Sequence, residues 1–251
     1  MIKTSNVSKA YYDKYVLKEV SIDIPKGNIT SLIGSNGAGK STLLSVVSRL
    51  IIGSGKVEVD DIAISAYKAE EFSKKLSVLR QSNDMQSRLT VRELVNFGRY
   101  PHSRSRLTLE DKKIVDNAIE YMGLEEYENH FVNELSGGER QRAMIAMVIA
   151  QDTDYILLDE PLNNLDMKHS VQIMKLLRKL ADEQEKSIIL VIHDINFASC
   201  YSDYIVALKD GELYKAGRTE EIIKNEVLRE VYDMEFDIQE INGNKICLYF
   251  T

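Results

Sequence analysis

Short apolar runs recur along the chain between stretches in which apolar positions return every three or four residues. The runs at 29–33, 76–79, 155–158 and 188–192 are nearly unbroken and rich in branched side chains, the pattern of strands covered on both faces. Helical patterns stand between them, which predicts a parallel sheet with helices on its two sides. Strand signals cease between Thr90 and Gln151. Three helices are predicted there instead, at 90–97, 108–122 and 139–150, with Thr108 and Asp111 as an N-cap pair for the second. This stretch reads as a helical lobe inserted into the sheet domain. Val171, Met174, Leu177 and Leu180 then give one apolar face to a further helix, and Asn242 with Gly243 forms the tight turn of a C-terminal hairpin. The organisation expected is one α/β domain over 1–251, with a sheet core at 1–83 and 153–251, the lobe at 84–152 and the hairpin at 237–251. Pro25, Pro101 and Pro161 each fall beside a turn, and no repeat or proline-rich tether interrupts the chain.

Composition narrows the setting. A chain of 251 residues, 44% hydrophobic, can bury roughly three quarters of its unfolded surface. A net charge of -7 argues against general affinity for nucleic acid or anionic lipid, which lysine and arginine clusters drive. The longest apolar run, 143–150, is far too short to cross a bilayer, and the mixed polar start Met1-Ile2-Lys3-Thr4 does not read as a secretory leader. A soluble, unsecreted protein is expected, attached to any membrane through another protein. Cys200 and Cys247 lack metal-ligand spacing and read as small buried hydrophobes in a reducing compartment. Met144, Met147, Met167 and Met174 read as core filling.

The first chemistry lies directly after the 29–33 strand. Gly34-Ser35-Asn36-Gly37-Ala38-Gly39-Lys40-Ser41 fits the phosphate-loop pattern, and Thr42-Leu43-Leu44 opens an apolar helix behind it. The glycines let backbone N–H groups and the helix N-terminus face phosphate oxygens. Lys40 would neutralise β- and γ-phosphate charge and Ser41 would ligate Mg²⁺. Nucleotide binding follows, but kinases, GTPases and motor ATPases all share this loop.

Tyr155-Ile156-Leu157-Leu158-Asp159-Glu160 ends a buried strand in two carboxylates. Alternation along a strand sends neighbours to opposite sides, so the two are expected to do different work. Asp159 would hold Mg²⁺ from outside its direct ligands, and Glu160 would orient or deprotonate the attacking water, the step that separates an ATPase from a binder.

Leu135-Ser136-Gly137-Gly138-Glu139 opens a helix with small residues that leave N–H groups and a serine hydroxyl suited to a phosphate. The segment resembles the signature of ATP-binding cassette (ABC) ATPases, and the resemblance covers essentially the whole chain. It implies a P-loop NTPase fold with a mixed sheet core, an N-terminal antiparallel β part and an inserted helical lobe. It also implies a head-to-tail homodimer in which Ser136 of one copy clamps the γ-phosphate of ATP held by the other. On the same resemblance Tyr11 would stack on adenine, with Tyr12 as the other candidate. Gln81 would sense Mg²⁺ and water, the loop Asn163-Asn164-Leu165-Asp166 would speak to the opposite site, and His193 would contact the γ-phosphate. Taken alone, Tyr11 reads as an edge aromatic, Gln81 as a surface polar residue and His193 as a strand-end cap. Their joint order turns those readings towards function. Glu139 stands where the family more often has glutamine, and should still favour the helix N-terminus.

Residues 89–102, ending Gly98-Arg99-Tyr100-Pro101-His102, and residues 146–154 resemble the importers of iron–siderophore, haem and cobalamin type. Residues 160–169 look very like the ATPases of petrobactin-type catecholate siderophore importers in Gram-positive bacteria. This implies an integral-membrane permease as partner, an extracellular siderophore-binding protein acting indirectly, no nucleic acid, and a peripheral place at the cytoplasmic face of the cell membrane. Arg99, His102, Arg104 and Arg106 form either a solvated basic turn or part of the groove where a permease helix docks. The alternatives are a haem or cobalamin importer subunit, and a soluble ABC ATPase without a membrane partner. A P-loop kinase has no use for 135–139.

Overall fold

The computed structural model describes residues 1–80, 88–104, 106–163 and 165–250. Elements are numbered in chain order. β1 (Ile2–Tyr11) and β2 (Lys14–Ile24) pair antiparallel through a two-residue turn, and β4 (Ser54–Val59) and β5 (Ile62–Ala63) extend the sheet on the other side of β1, in the order β2-β1-β4-β5. These are the antiparallel strands expected at the N-terminal end. Asn6 and Glu19 adopt left-handed backbone where the β1–β2 register slips, as bulges do.

The second sheet contains β3 (Ile29–Ile33), β6 (Leu76–Leu79), β7 (Tyr155–Asp159), β8 (Ser187–Val191), β9 (Tyr204–Lys209) and β10 (Glu212–Arg218), in the order β10-β9-β3-β8-β7-β6. All neighbours are parallel except β9 and β10. Every residue of β3, β7 and β8 is buried, because alternate side chains enter two different cores. Leu32, Leu157, Ile189 and Val206 face one with α1 (Lys40–Val47) and the antiparallel sheet. Ile33, Leu158, Leu190 and Ile205 face the other with the lobe and the later helices. The order matters for chemistry: β8 lies between β3 and β7, so the exits of all three strands meet at one edge of the sheet, where α/β proteins bind ligands.

Between α2 (Ala69–Lys75) and β7 the lobe is built of α3 (Val91–Phe97), α4 (Tyr100–Ser103), α5 (Leu109–Tyr121) and α6 (Gly137–Ala150). α3, α5 and α6 each start with a capping box, Thr90/Glu93, Thr108/Asp111 and Ser136/Glu139. The last box starts α6 at Gly137, two residues ahead of expectation. α4, with Pro101 in its first turn, has no counterpart in the hydrophobic pattern.

Arg99 corrects the reading of a solvated basic turn. It is buried, donates from Nε to Asp111 at 2.9 Å and from Nη1 to the Ala150 carbonyl at 2.9 Å, and so ties α5 to the end of α6. His102 Nε2 lies 2.9 Å from the Gln151 carbonyl, and Arg104 pairs with Glu70 of α2. Burial alone would raise the Asp111 acid, but the Thr108 N–H and hydroxyl and the Arg99 guanidinium bring it down to about 2. A depressed carboxylate stabilises the fold above its unfolded value and loses that contribution as pH falls through the folded one. Unfolding measured across a pH series should therefore show a loss of about 2 kcal/mol from this group between about pH 4 and pH 2. Asp111→Asn should be less stable at neutral pH and flatter over that interval.

α7 (Met167–Gln184) buries Met174, Leu177 and Leu180 as expected, with Ile173 in place of a fully buried Val171. α8 (Ile195–Tyr201), α9 (Thr219–Ile222) and α10 (Asn225–Tyr232) follow, and β11 (Asp237–Ile241) and β12 (Asn244–Leu248) form the hairpin. Asn242 and Gly243, both at positive φ, make its turn, the geometry two-residue hairpins prefer. Cys247 is buried but Cys200 only half-buried, and both are free thiols. Among the described residues no helix is long and apolar enough to cross a membrane.

Candidate functional site

The phosphate loop is fastened at both ends and open in the middle. Gly34 has φ +141°, and a Cβ there would stand 2.2 Å from the Leu208 carbonyl oxygen; Gly39 has φ +97°, and its Cβ would meet Leu17 and the Val16 carbonyl at 2.7 Å. Neither position admits a side chain. Ser35, Asn36 and Gly37 are exposed, Ala38 is buried and Thr42 half-buried. Gly39 is also the N-cap of α1 and supplies no side-chain oxygen. Unlike α3, α5 and α6, this helix therefore leaves its first N–H groups uncapped, as an anion site requires.

Lys40 is 5% exposed and donates to the Gly34 carbonyl at 2.7 Å and the Ser35 carbonyl at 2.9 Å. Burial lowers its pKa, with Glu160 and Asp159 pulling the other way. Ser41 Oγ donates to Asp159 Oδ1 at 2.7 Å. Burial pushes the Asp159 acid up against that hydrogen bond. A hydroxyl and a carboxylate side by side are hard oxygen donors of the kind Mg²⁺ takes.

The two acids separate, but not by strand alternation. β7 ends at Asp159, and Glu160 turns left-handed at φ +52°. Its side chain thereby reaches the exit of β8, where His193 Nε2 lies 2.7 Å from Glu160 Oε1. The Asn163 side-chain amide donates to the other oxygen, Oε2. Lys40, Ser41, Asp159, Glu160 and His193, spread over more than 150 residues of sequence, thus form one cluster.

The other expected residues lie elsewhere in the chain. Ser136 N–H donates to Glu139 Oε2 at 2.8 Å and Ser136 Oγ accepts from Glu139 N–H at 3.4 Å. This closes the box that glutamate was expected to favour, while Leu135 is buried and Ser136 and Gly137 are exposed. Among the described residues no hydrogen bond joins 135–139 to 34–42. Gly138 faces Leu165 and His169, and Asp166 caps α7 by accepting from the His169 N–H at 2.8 Å. Tyr11 ends β1 with Lys9 Nζ 5.2 Å from its ring centroid. Tyr12 occupies the hairpin turn at φ +52°, fully exposed. Gln81 and Asn164 lie outside the described residues. Met167, expected in the core, is 80% exposed in the first turn of α7. Two contacts were not anticipated. Asn163 on Glu160 has a local signal, its place three residues on in a proline turn, whereas Gln141 Nε2 donating to the Pro161 carbonyl at 2.9 Å has none.

A family model described as ABC transporter matches residues 17–163. The petrobactin import ATP-binding protein YclP of Bacillus subtilis (strain 168) is 57% identical over 252 residues, covering 100% of each chain. A dimeric ATP-binding cassette in a post-hydrolysis state, bound to ADP and Pi, superposes with a TM-score of 0.79 at 33% identity, over 87% of this chain and 99% of the other. An ABC transporter solved in an inward-facing conformation gives a TM-score of 0.84 at 25% identity, over 99% and 98% of the two chains.

Proposed function

From its place in the ABC transporter ATPase family, to which this chain belongs, we infer that it powers uptake of an iron–siderophore complex, petrobactin or another catecholate, through a partner permease. It is an ATP-binding ATPase. Its likeness over the full chain to a petrobactin import protein supports the substrate class, and the cluster at the exits of β3, β7 and β8 carries the chemistry. Two copies pair head to tail, so that ATP on the loop 34–42 of one meets 135–139 of the other. The dimeric form of a similar cassette supports that pairing.

Each residue has a part in this reading. Backbone N–H groups of the loop and of α1 hold the phosphates, and Lys40 leaves its two carbonyls for phosphate oxygens. Ser41, with Asp159 behind it and Gln81, would hold Mg²⁺, which would supply charge neutralisation on the phosphates. Glu160 takes a proton from the attacking water, and His193 donates to a γ-phosphate oxygen. Tyr11 stacks on adenine. Asp166 links the two sites from the start of α7. Residues 1–251 work as a single cassette, with the lobe 84–152 as the arm that meets the permease. A groove of about 300 Å³ on the lobe, lined by Leu89, Glu93, Phe97 and Tyr100, supports a docked cytoplasmic helix. Phe97 and Tyr100 are both more than half exposed there. The chain then sits peripherally at the cytoplasmic face of the membrane.

The substrate is selected by the permease and by an extracellular binding protein. Reconstituted with its permease in liposomes, the chain should hydrolyse ATP faster when the binding protein is loaded with ferric petrobactin. Stimulation by haem or cobalamin alone would move it to a sister transport system.

A further inference from the structure

The turn that leaves β7 closes on the carboxylate it carries. Asn163 N–H donates to the Glu160 carbonyl at 3.2 Å, and the amide of the Asn163 side chain donates to Glu160 Oε2. Glu160 is left-handed at φ +52°, which turns its side chain back across these four residues, where it is only 9% exposed. His193 Nε2 sits 2.7 Å from the remaining oxygen, Oε1. A carboxylate on a flexible stem rotates freely, and two donors on different oxygens stop it. The donors differ in what anchors them. His193 follows the sheet strand β8, while Asn163 belongs to a turn whose Pro161 carbonyl is held by Gln141 of α6, the helix that begins at Ser136.

We propose that Asn163 is a positioning residue for hydrolysis, holding Glu160 Oε2 and with it the plane of the carboxylate, so that Oε1 is the oxygen that receives the proton of water. The inference rests on Glu160 as the base. In the reaction His193 turns to a phosphate oxygen and Oε1 faces the attacking water. A water O–H bond then breaks with its proton passing to Oε1, the water oxygen bonds to the γ-phosphorus, and the bond from that phosphorus to the bridging oxygen breaks with its electron pair leaving on ADP. Asn163 stays on Oε2 throughout.

The test is steady-state and single-turnover hydrolysis of ATP with Mg²⁺ by the full chain carrying Asn163→Ala, Asn163→Asp, Glu160→Gln, or each Asn163 change combined with Glu160→Gln. Asn163→Ala should lower kcat roughly ten- to a hundredfold, the range for a lost hydrogen bond to a charged group, with the KM for ATP within about twofold. Asn163→Asp keeps the shape but sets one carboxylate against another, and should fall below the alanine variant. Neither change should slow turnover further once Glu160 is glutamine, because without a proton acceptor the orientation of that side chain no longer limits the reaction. Near-normal kcat in Asn163→Asp, or an equal loss in the Glu160→Gln background, overturns the proposal and leaves Glu160 as the base. Near-normal turnover in Glu160→Gln alone removes the base itself, a distinguishable failure.

Discussion

Glu160→Gln is expected to bind ATP and yet turn it over roughly a hundred to ten thousand times more slowly, the usual worth of a general base. Glutamine keeps the shape of the side chain and can still meet His193 Nε2 or the Asn163 amide through its oxygen, but it cannot accept a proton. If hydrolysis is what separates the two copies, the variant should accumulate as an ATP-bound dimer, seen as a doubled mass in size-exclusion chromatography with light scattering. Wild-type turnover, or a monomer at saturating ATP and Mg²⁺, would sink the assignment of Glu160.

The second large effect concerns the division of one site between two chains. Lys40→Met removes the cation that is buried against Gly34 and Ser35 and should abolish turnover. Ser136→Arg should also abolish it, by placing a bulky cation where the exposed serine caps α6. A mixture of the two inactive proteins then contains heterodimers in which one site pairs an intact loop with an intact signature. With random head-to-tail pairing, roughly a quarter of wild-type sites are restored. ATP turnover should therefore appear on mixing. Persistent inactivity of a mixture shown to contain heterodimers would mean that the loop and the signature do not meet across the pair.

Much of this site was legible because its chemistry is local. A phosphate loop is a run of backbone conformations, and Gly34 and Gly39 announce positions where no side chain fits. The capping boxes at Thr108 and Ser136 are likewise written within four residues. The sequence could not show what the sheet order decides: Ser41 meets Asp159 across 118 positions only because β8 separates β3 from β7. The burial of Arg99 fits neither a solvated basic turn nor an open groove, and its partners, Asp111 and the Ala150 carbonyl, come from two other helices, beyond what a local pattern shows. Glu160 was expected to leave Asp159 by strand alternation, whereas the backbone abandons the strand at that residue. Met167 is expected in the core from its residue type alone, and residue type does not show that it opens α7 at an exposed position.

The contact of Gly39 with Val16 and Leu17 has a further consequence. Those residues belong to β2, and only a few positions earlier Lys14 pairs with Tyr11 across the β1–β2 turn. At about 3.3 Å per residue, the β2 backbone position paired with Tyr11 lies roughly 7–10 Å along the strand from the residues behind the phosphate loop. β2 thus ties the back of the phosphate loop to the backbone that carries Tyr11.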